Sequence, residues 1–274
     1  LNVPSLSVEE VFKKTAQRVY ALTQSKQLPW IEGILLGEFV FNTNESVAVQ
    51  RPNILNPGQP KQNVKTWIEK HTGIEFVYVP EGCYQMGTDY SVKVERVGNE
   101  WSEKHCFEKG FWLSKFEVTN KQFRLMKPNH NSGSLNKVTL NGENQPAVDI
   151  AWLDARQYAK WIGNKIGHII RLPAQSEWEY AAKAGSNTLR YWGNNSGTAC
   201  EYANVLDKTS KIIPDQSNVH DCSDQGEFTV NVGSYKPNQF GLYDMLGNAS
   251  EWTCSTQTYS PKMDYRFDCF GQPP

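Results

Sequence analysis

The length, composition and charge of the chain exclude two classes of partner. Its 274 residues are 39% hydrophobic and 21% charged, which suits one large globular domain or two ordinary ones. The 28 basic and 29 acidic side chains leave a formal charge of -1, and no apolar run reaches the roughly 18 residues that a membrane-spanning helix needs. We therefore expect neither nucleic acid nor a membrane as a partner.

The N-terminal part of the chain predicts a small structural unit followed by a linker. Residues 7–22 place apolar side chains at helical spacing, and Ser7 and Glu10 form a capping box at the start of this helix. A buried strand is predicted to follow and to end at Phe41. Because a helix and a strand cannot bury enough surface to fold alone, we expect this unit to pack on a partner. Residues 42–63 are rich in Asn, Pro, Gln and Gly, a composition typical of linkers.

The main domain is predicted to run from residue 64 to residue 274. A short helix is predicted near residues 64–71, and an apolar strand that Pro80 and Gly82 interrupt follows it. Beyond this strand the chain is rich in Trp, Tyr and Gly, so we expect many loops and few regular elements.

Two helices are predicted in the middle of this domain. Thr119 and Gln122 have the spacing of a capping box at the start of the first. The second covers residues 152–167. Its apolar face consists of Ala155, Ala159, Ile162 and Ile166.

The stretch "RLPAQSEWEY", residues 171–180, predicts the end of a strand followed by a capped helix. Pro173 favours an extended backbone in the residues before it. Ser176 lies three residues before Glu179, which is the spacing of a capping box. We therefore expect Ser176 to cap this helix.

Six cysteines are spread along the chain without a CxxC pair: Cys83, Cys106, Cys200, Cys222, Cys254 and Cys269. Because a domain of this size does not require disulfide bonds, we expect reduced and mostly buried thiols. We also expect a cytoplasmic location. The chain begins with Leu1 rather than Met, so we expect it to be part of a longer polypeptide that would carry any targeting segment.

Long segments of the main domain resemble one enzyme family. The segments "FVYVPEGCYQMGT", "FWLSKFEVTNKQF", "RLPAQSEWEYAAKAG" and "FGLYDMLGNASEW" occur in the order found in the formylglycine-generating-enzyme, or sulfatase-modifying-factor, family. The resemblance covers residues 74–254. It implies an α+β chain with a C-type-lectin-like fold of the formylglycine-generating-enzyme type and much irregular structure. Ala174 departs from the family, which usually has a threonine cap there.

The same resemblance bears on catalysis. Oxygenase members of the family use cysteines in a C-terminal stretch that follows an RGGSW-like motif, and this sequence contains no such motif. Cys254 and Cys269 are the cysteines nearest to that position, and neither lies in a matching motif. We therefore expect both to be ordinary cysteines rather than catalytic ones.

Residues 1–41 resemble the C-terminal end of a caspase-like (peptidase C14) domain, in which a helix leads into a last strand. The resemblance implies a helix-strand remnant of an α/β domain whose catalytic residues are absent from this chain. Another fragment of a caspase-like domain would then be its packing partner. An unrelated helix and strand is the alternative. The combination of both domains resembles bacterial variable proteins diversified by retroelements, in which the lectin-like fold displays a binding surface.

A calcium site is the strongest site prediction. The segment "YDMLGNASEW" contains Asp244, Gly247, Ala249 and Glu251, and two carboxylates with carbonyls from a glycine-containing turn can supply several of the about six to eight oxygens that Ca²⁺ takes. A turn whose acids accept hydrogen bonds from backbone amides is the alternative. The family resemblance implies the calcium site, with the side chains of Asp244 and Glu251 and the carbonyls of Gly247 and Ala249 as ligands.

The resemblance implies a second calcium site, for which solvated loop acids are the alternative. Its ligands would be the side chains of Asn204 and Asp224 and the carbonyls of Val205 and Gly226. The five histidines show no metal-binding spacing, and His220 with Cys222 is the nearest approach to a transition-metal site. Two ligands do not make such a site, so calcium is the one cofactor we expect.

The sequence thus favours a non-catalytic binding module of the C-type-lectin and formylglycine-enzyme type, linked to a caspase-like effector. We expect an unidentified protein or small ligand as its partner. The alternative is a truncated formylglycine-generating or related oxidase enzyme.

Overall fold

A computed structural model describes residues 64–87, 103–208, 219–254 and Cys269. All of these belong to one unit of the chain, residues 40–274. The predicted helix at 7–22, the strand ending at Phe41 and the linker at 42–63 lie outside the described residues.

Short antiparallel strands form the sheets of this domain. The strands are β1 (Thr66–Ile68), β2 (Glu75–Val79), β3 (Gly82–Met86), β4 (Glu103–Phe107), β5 (Phe111–Ser114), β6 (Ser134–Leu135) and β7 (Val138–Thr139). Strand β2 lies between β1 and β5 in a three-stranded sheet, while β3 pairs with β4 and β6 with β7. The predicted interruption is confirmed, because β2 ends just before Pro80 and β3 begins at Gly82.

The short helix predicted near residues 64–71 is wrong. Thr66, Trp67 and Ile68 form β1 instead, because aromatic and β-branched residues suit a strand that pairs with β2. The chain then reverses around the buried side chain of Glu69, whose two carboxylate oxygens accept the backbone N–H groups of His71 and Thr72 at 2.6 and 2.7 Å. This carboxylate stabilises a turn where we had predicted helical backbone.

Three α-helices lie in the described part of the chain: α1 (Asn120–Phe123), α2 (Trp152–Ile166) and α3 (Gln175–Lys183). A 3₁₀ helix covers Ser196–Glu201. The capping box of α1 is confirmed, because Gln122 N–H donates to Thr119 Oγ1 at 3.3 Å and Thr119 N–H donates to Gln122 Oε1 at 3.0 Å. None of these helices combines the length and apolar character that crossing a bilayer requires.

Strand β2 separates two hydrophobic clusters, because its side chains alternate between the two faces of the sheet. Val77 and Val79 pack with α3 residues that include Trp178. Phe76 packs with Phe123 of α1 and with α2. The predicted helix α2 is confirmed, and its buried face contains Ala159 and Ile162 together with Tyr158, while Ala155 and Ile166 are half-buried.

The capping box predicted for Ser176 and Glu179 is wrong. Helix α3 begins at Gln175, with Ala174 as its N-cap residue. Glu177, three residues after the cap, accepts the N–H of Ala174 at 2.8 Å and pairs in bidentate fashion with Arg171 at 2.6 and 2.7 Å. Glu177 thus takes the role that the sequence had suggested for Glu179, and the residues before α3 belong to no strand.

The two glutamates and the serine of this stretch therefore have distinct roles. Glu179 accepts the N–H of Gly87 at 2.8 Å and pairs with Lys183 one turn later. Ser176 is fully buried, and its hydroxyl has no hydrogen-bond partner.

We expect Ser176→Ala to leave the free energy of unfolding unchanged or to raise it, because the change removes a buried hydroxyl without a partner. Glu177→Ala should lower it by roughly 1–3 kcal/mol, because it breaks charge-assisted bonds to Arg171 and to the helix start. Urea unfolding of the two variants tests both. If Ser176→Ala lowers the free energy of unfolding as much as Glu177→Ala does, Ser176 caps the helix after all.

The expectation of reduced thiols is also wrong, because all six cysteines form disulfide bonds: Cys83–Cys106, Cys200–Cys222 and Cys254–Cys269. Cys83 and Cys106 lie directly opposite each other on β3 and β4. This pairing follows from strand register, which cysteine spacing along the chain does not reveal.

The three disulfides differ in exposure. Cys83 and Cys106 are exposed on their strands, whereas Cys254 and Cys269 are 5% and 8% exposed. Because thiol–disulfide exchange requires access to a sulfur, we expect a mild reductant to open Cys83–Cys106 before Cys254–Cys269. Timed alkylation followed by mass spectrometry measures the order. Earlier labelling of Cys254 would contradict it.

Candidate metal centre

Three carboxylates from two distant parts of the chain act on one another. Glu117 follows strand β5, and Asp244 and Glu251 belong to the predicted calcium segment. Burial raises the pKa of Glu117 well above its usual value, and the charges of Asp244 and Glu251 raise it further. Burial also raises the pKa of Asp244, and it raises the pKa of Glu251 to about 7. Asp244 is buried and Glu117 and Glu251 are half-buried, so the three side chains form an acidic centre with restricted access to solvent.

Two oxygens of this centre have no hydrogen-bond partner. Asp244 is 2% exposed, and its Oδ2 accepts the N–H of Gly233 at 2.6 Å, while its buried Oδ1 has no partner. The Oε1 of Glu117 is buried and likewise without a partner. When both carboxyl groups are ionised these oxygens are costly, and a divalent cation would compensate them. A proton shared between the two groups is the alternative, and a hydrogen bond between the Glu117 and Asp244 side chains lowers the pKa of Asp244. The donor set therefore fits Ca²⁺, which prefers carboxylate oxygens.

Glu251 and the loop before it are held by specific contacts. The indole Nε1 of Trp178 donates to Glu251 Oε2 at 3.2 Å, which links the acid to helix α3. Gly247 has a φ of 99°, and a Cβ built there would lie 2.2 Å from the carbonyl oxygen of Asn204, so a larger residue does not fit. Ala249 lies in the same loop, between Gly247 and Glu251.

The residues predicted for the second calcium site also lie together. Asp224 Oδ2 accepts the N–H of Val205 at 2.6 Å, and its Oδ1 accepts the N–H of Gly226 at 2.7 Å. Both carboxylate oxygens therefore have backbone partners, which is the arrangement of a turn-capping acid. Asn204 donates from Nδ2 to Asn248 Oδ1 at 3.1 Å, so the two predicted sites are neighbours.

Cys222 and His220, which lie next to the second site, do not form a transition-metal site together. Cys222 is bonded to Cys200, so its sulfur does not join His220 in a transition-metal site. A ring nitrogen of His220 lies 3.1 Å from the carbonyl oxygen of Ser196. Asp207 is fully buried and accepts the N–H of Asp224, which extends the network around Asp224.

Glu117 and Asn248 also belong to this region, and the sequence pattern did not predict either of them. Glu117 lies between Phe116 and Val118 in an apolar segment, and a lone carboxylate in such a setting was the available signal. Asn248 N–H donates to Asn204 O at 3.0 Å, and its Nδ2 donates to Glu117 Oε2 at 3.4 Å. Asn248 thus links the acidic centre to the second predicted site.

Comparison with known proteins defines the family. The model of the sulfatase-modifying factor enzyme 1-like domain matches residues 61–269, so the chain belongs to the sulfatase-modifying factor family. The mouse formylglycine-generating enzyme is 33% identical over 134 residues, which cover 48% of this chain and 33% of that protein. The bovine inactive C-alpha-formylglycine-generating enzyme 2 is 27% identical over 247 residues, which cover 69% of this chain and 74% of that protein.

Two solved structures share the fold. PvdO from Pseudomonas aeruginosa is 27% identical, with a TM-score of 0.59 over 73% of this chain and 77% of that one. Treponema denticola variable protein 1 is 21% identical, with a TM-score of 0.52 over 71% of this chain and 77% of that one. The chain spans about a third of the length of the mouse enzyme. The mixed α and β architecture of this family is therefore confirmed.

Proposed function

We propose that the chain is a non-catalytic ligand- or protein-binding module of the sulfatase-modifying factor family. The observation that carries this proposal is the pairing of all six cysteines of the sequence in disulfides. The oxygenase members of the resembling family use cysteines for catalysis. Cys254 and Cys269 are bonded to each other and nearly buried, which suits a role in stabilising the fold.

The similarities are compatible with this role. The bovine relative, whose name describes it as inactive, matches more of this chain than the mouse enzyme does. The Treponema variable protein supports the fold only, and a retroelement-diversified binding surface joined to a caspase-like effector remains a proposal. The enzymatic alternative rests on the formylglycine-generating enzymes among the relatives.

An oxidation assay separates the two functions. We expect the purified chain, incubated with copper, oxygen and a cysteine-containing peptide, to form no aldehyde, because none of its cysteines is a free thiol. Mass spectrometry of the peptide after hydrazide labelling measures the product, and an active formylglycine-generating enzyme is the positive control. Robust aldehyde formation would exclude the binding-module proposal.

We also propose that a structural calcium ion binds at the acidic centre. The side chains of Asp244 and Glu251 would hold it, with carbonyl oxygens of Gly247 and Ala249 as further ligands. Calcium would supply the positive charge that converts mutual repulsion of the carboxylates into attraction. The chain's own contribution is the loop geometry, which depends on Gly247 and on the bond from Trp178 to Glu251.

Thermal melts test this calcium site. Because Ca²⁺ would bind the folded loop and hardly the unfolded chain, a hundredfold excess over Kd should stabilise the protein by about 2.7 kcal/mol, and chelation should lower Tm. Asp244→Ala and Glu251→Ala should each abolish most of this response. Asp224→Ala is the matched control, since it keeps the response unless the second site also binds calcium. If calcium does not change the Tm of the wild type, Asp244 and Glu251 are acids that only accept hydrogen bonds in a turn.

The compartment and partner are further proposals. The three disulfides favour an oxidising compartment over the cytoplasm that we had expected, because cytosolic thiols are kept reduced. We propose a protein or small ligand as the partner of the module. For residues 1–41 we retain the proposed partner, another fragment of a caspase-like domain.

A further inference from the structure

We propose that the open edge of strand β5 binds an extended segment of a partner polypeptide, in which apolar and acidic residues alternate. The segment would lie as an added strand in the β5 groove, the space between residues 111–113 and residues 168–173. This inference deepens the binding function proposed above, on which it rests, by naming a surface and a class of partner. It does not depend on the acidic centre.

The first argument is that the backbone of Trp112 points away from the sheet. Within the described part of the chain, β5 is an edge strand that pairs with β2 alone. Lys115 N–H donates to Glu75 O at 2.8 Å, and Tyr78 N–H donates to Lys65 O at 2.9 Å on the β1 side. Because bonded and non-bonded pairs alternate in an antiparallel ladder, Trp112, opposite Tyr78, directs its N–H and C=O outward. Neither group has a hydrogen-bond partner among the described residues.

The second argument is a cavity of about 420 Å³ at this edge, which Phe111, Trp112 and Leu113 line together. Successive side chains of a strand point to opposite faces, so three consecutive residues line one cavity only if it lies along the strand's edge. The other wall comes from residues 168–171 and Pro173. In the described ranges, residues 169–173 belong to no strand and form no backbone hydrogen bond with β5. The groove therefore suits main-chain pairing with β5, with side chains of the ligand on both faces.

The third argument is the exposure of large apolar side chains around the groove. Trp67 and Trp112 are 36% and 39% exposed, and their ring centroids lie 6.5 Å apart. Ile169, on the opposite wall, is 90% exposed. Single exposed side chains of this kind are ordinary, but several gathered at one groove are typical of an interaction site. Apolar residues of a bound segment would cover them.

Charge accounts for the acidic residues of the proposed ligand. Lys65 Nζ lies 5.3 Å from the ring centre of Tyr78 and 5.4 Å from that of Trp112. It forms no ion pair with any residue that the structure describes. Arg171 and Glu177, which also line the cavity, neutralise each other through their bidentate pair. Lys65 thus leaves a positive charge beside the groove, and a carboxylate of the ligand would complement it.

Fluorescence anisotropy with labelled peptides tests the proposal. The probe is a heptapeptide of alternating valine and glutamate, and the same peptide with lysine in place of glutamate is the charge-reversed control. The wild type should bind the glutamate peptide about 2- to 5-fold more tightly, and about 1 M NaCl should remove the difference. Lys65→Glu should reverse the preference. N-methylation of the glutamate peptide's backbone should weaken binding about 10-fold or more, because main-chain hydrogen bonds are lost.

Two proline variants locate the binding edge. Trp112→Pro removes the outward N–H of β5, and Ile68→Pro is the matched control on the outer edge of β1, where Ile68 also directs its N–H away from β2. Trp112→Val removes the ring and keeps the N–H. We expect Trp112→Pro to bind the glutamate peptide about 10-fold more weakly than Trp112→Val does, and Ile68→Pro to bind it as the wild type does. Hydrogen exchange of residues 111–114, followed by mass spectrometry, should slow when the peptide is bound.

The outcomes distinguish this inference from the proposed function. A wild type that does not bind the glutamate peptide, or binding that backbone methylation leaves unchanged, would overturn the peptide groove. Slower exchange of residues 111–114 at high protein concentration without peptide would assign the edge to a second copy of the chain instead. If Trp112→Pro does not fold, the methylated peptide and the exchange of residues 111–114 decide. Each of these failures leaves the non-catalytic proposal in place, because the aldehyde assay tests it without the groove.

Discussion

Buried backbone groups need hydrogen-bond partners, and in this domain polar side chains supply many of them because helices and strands are short. Asn120, fully buried, donates from Nδ2 to the carbonyls of Leu140 and Gly142, both at 2.9 Å. Asn238, also fully buried, donates to Ala181 O at 2.8 Å and accepts the N–H of Phe240 at 3.0 Å. Such side chains take the place of neighbouring strands, and Asn238 also accepts the N–H of Leu242 at 3.2 Å, two residues before Asp244 of the acidic centre.

The parts of the fold that the sequence predicted are those determined by neighbouring residues. The apolar run of β2, the break at Pro80 and the capping box of Thr119 each depend on contacts within a few residues. Strand β1 was missed because three residues beside a turn become a strand only when β2 pairs with them. The disulfides were missed because strand register and loop packing bring their cysteines together.

The acidic centre likewise contains two residues that the sequence predicted and one that it did not. Asp244 and Glu251 belong to one short motif, so their proximity could be predicted from spacing alone. Glu117 could not be added, because its contact with them depends on how the segment after β5 packs against a loop more than a hundred residues later. Ser176 is a similar case. A serine near the start of a helix predicts an N-cap, but the structure places Ser176 inside the first turn, where its hydroxyl has no partner.

The disulfides also determine what happens when the chain is cut. Their sequence separations are 23, 22 and 15 residues, and each bond holds the two ends of a loop together. A single proteolytic cut inside such a loop leaves both pieces covalently attached. The segment between Cys83 and Cys106 contains the paired strands β3 and β4, so a cut between these strands would not release either of them from the domain.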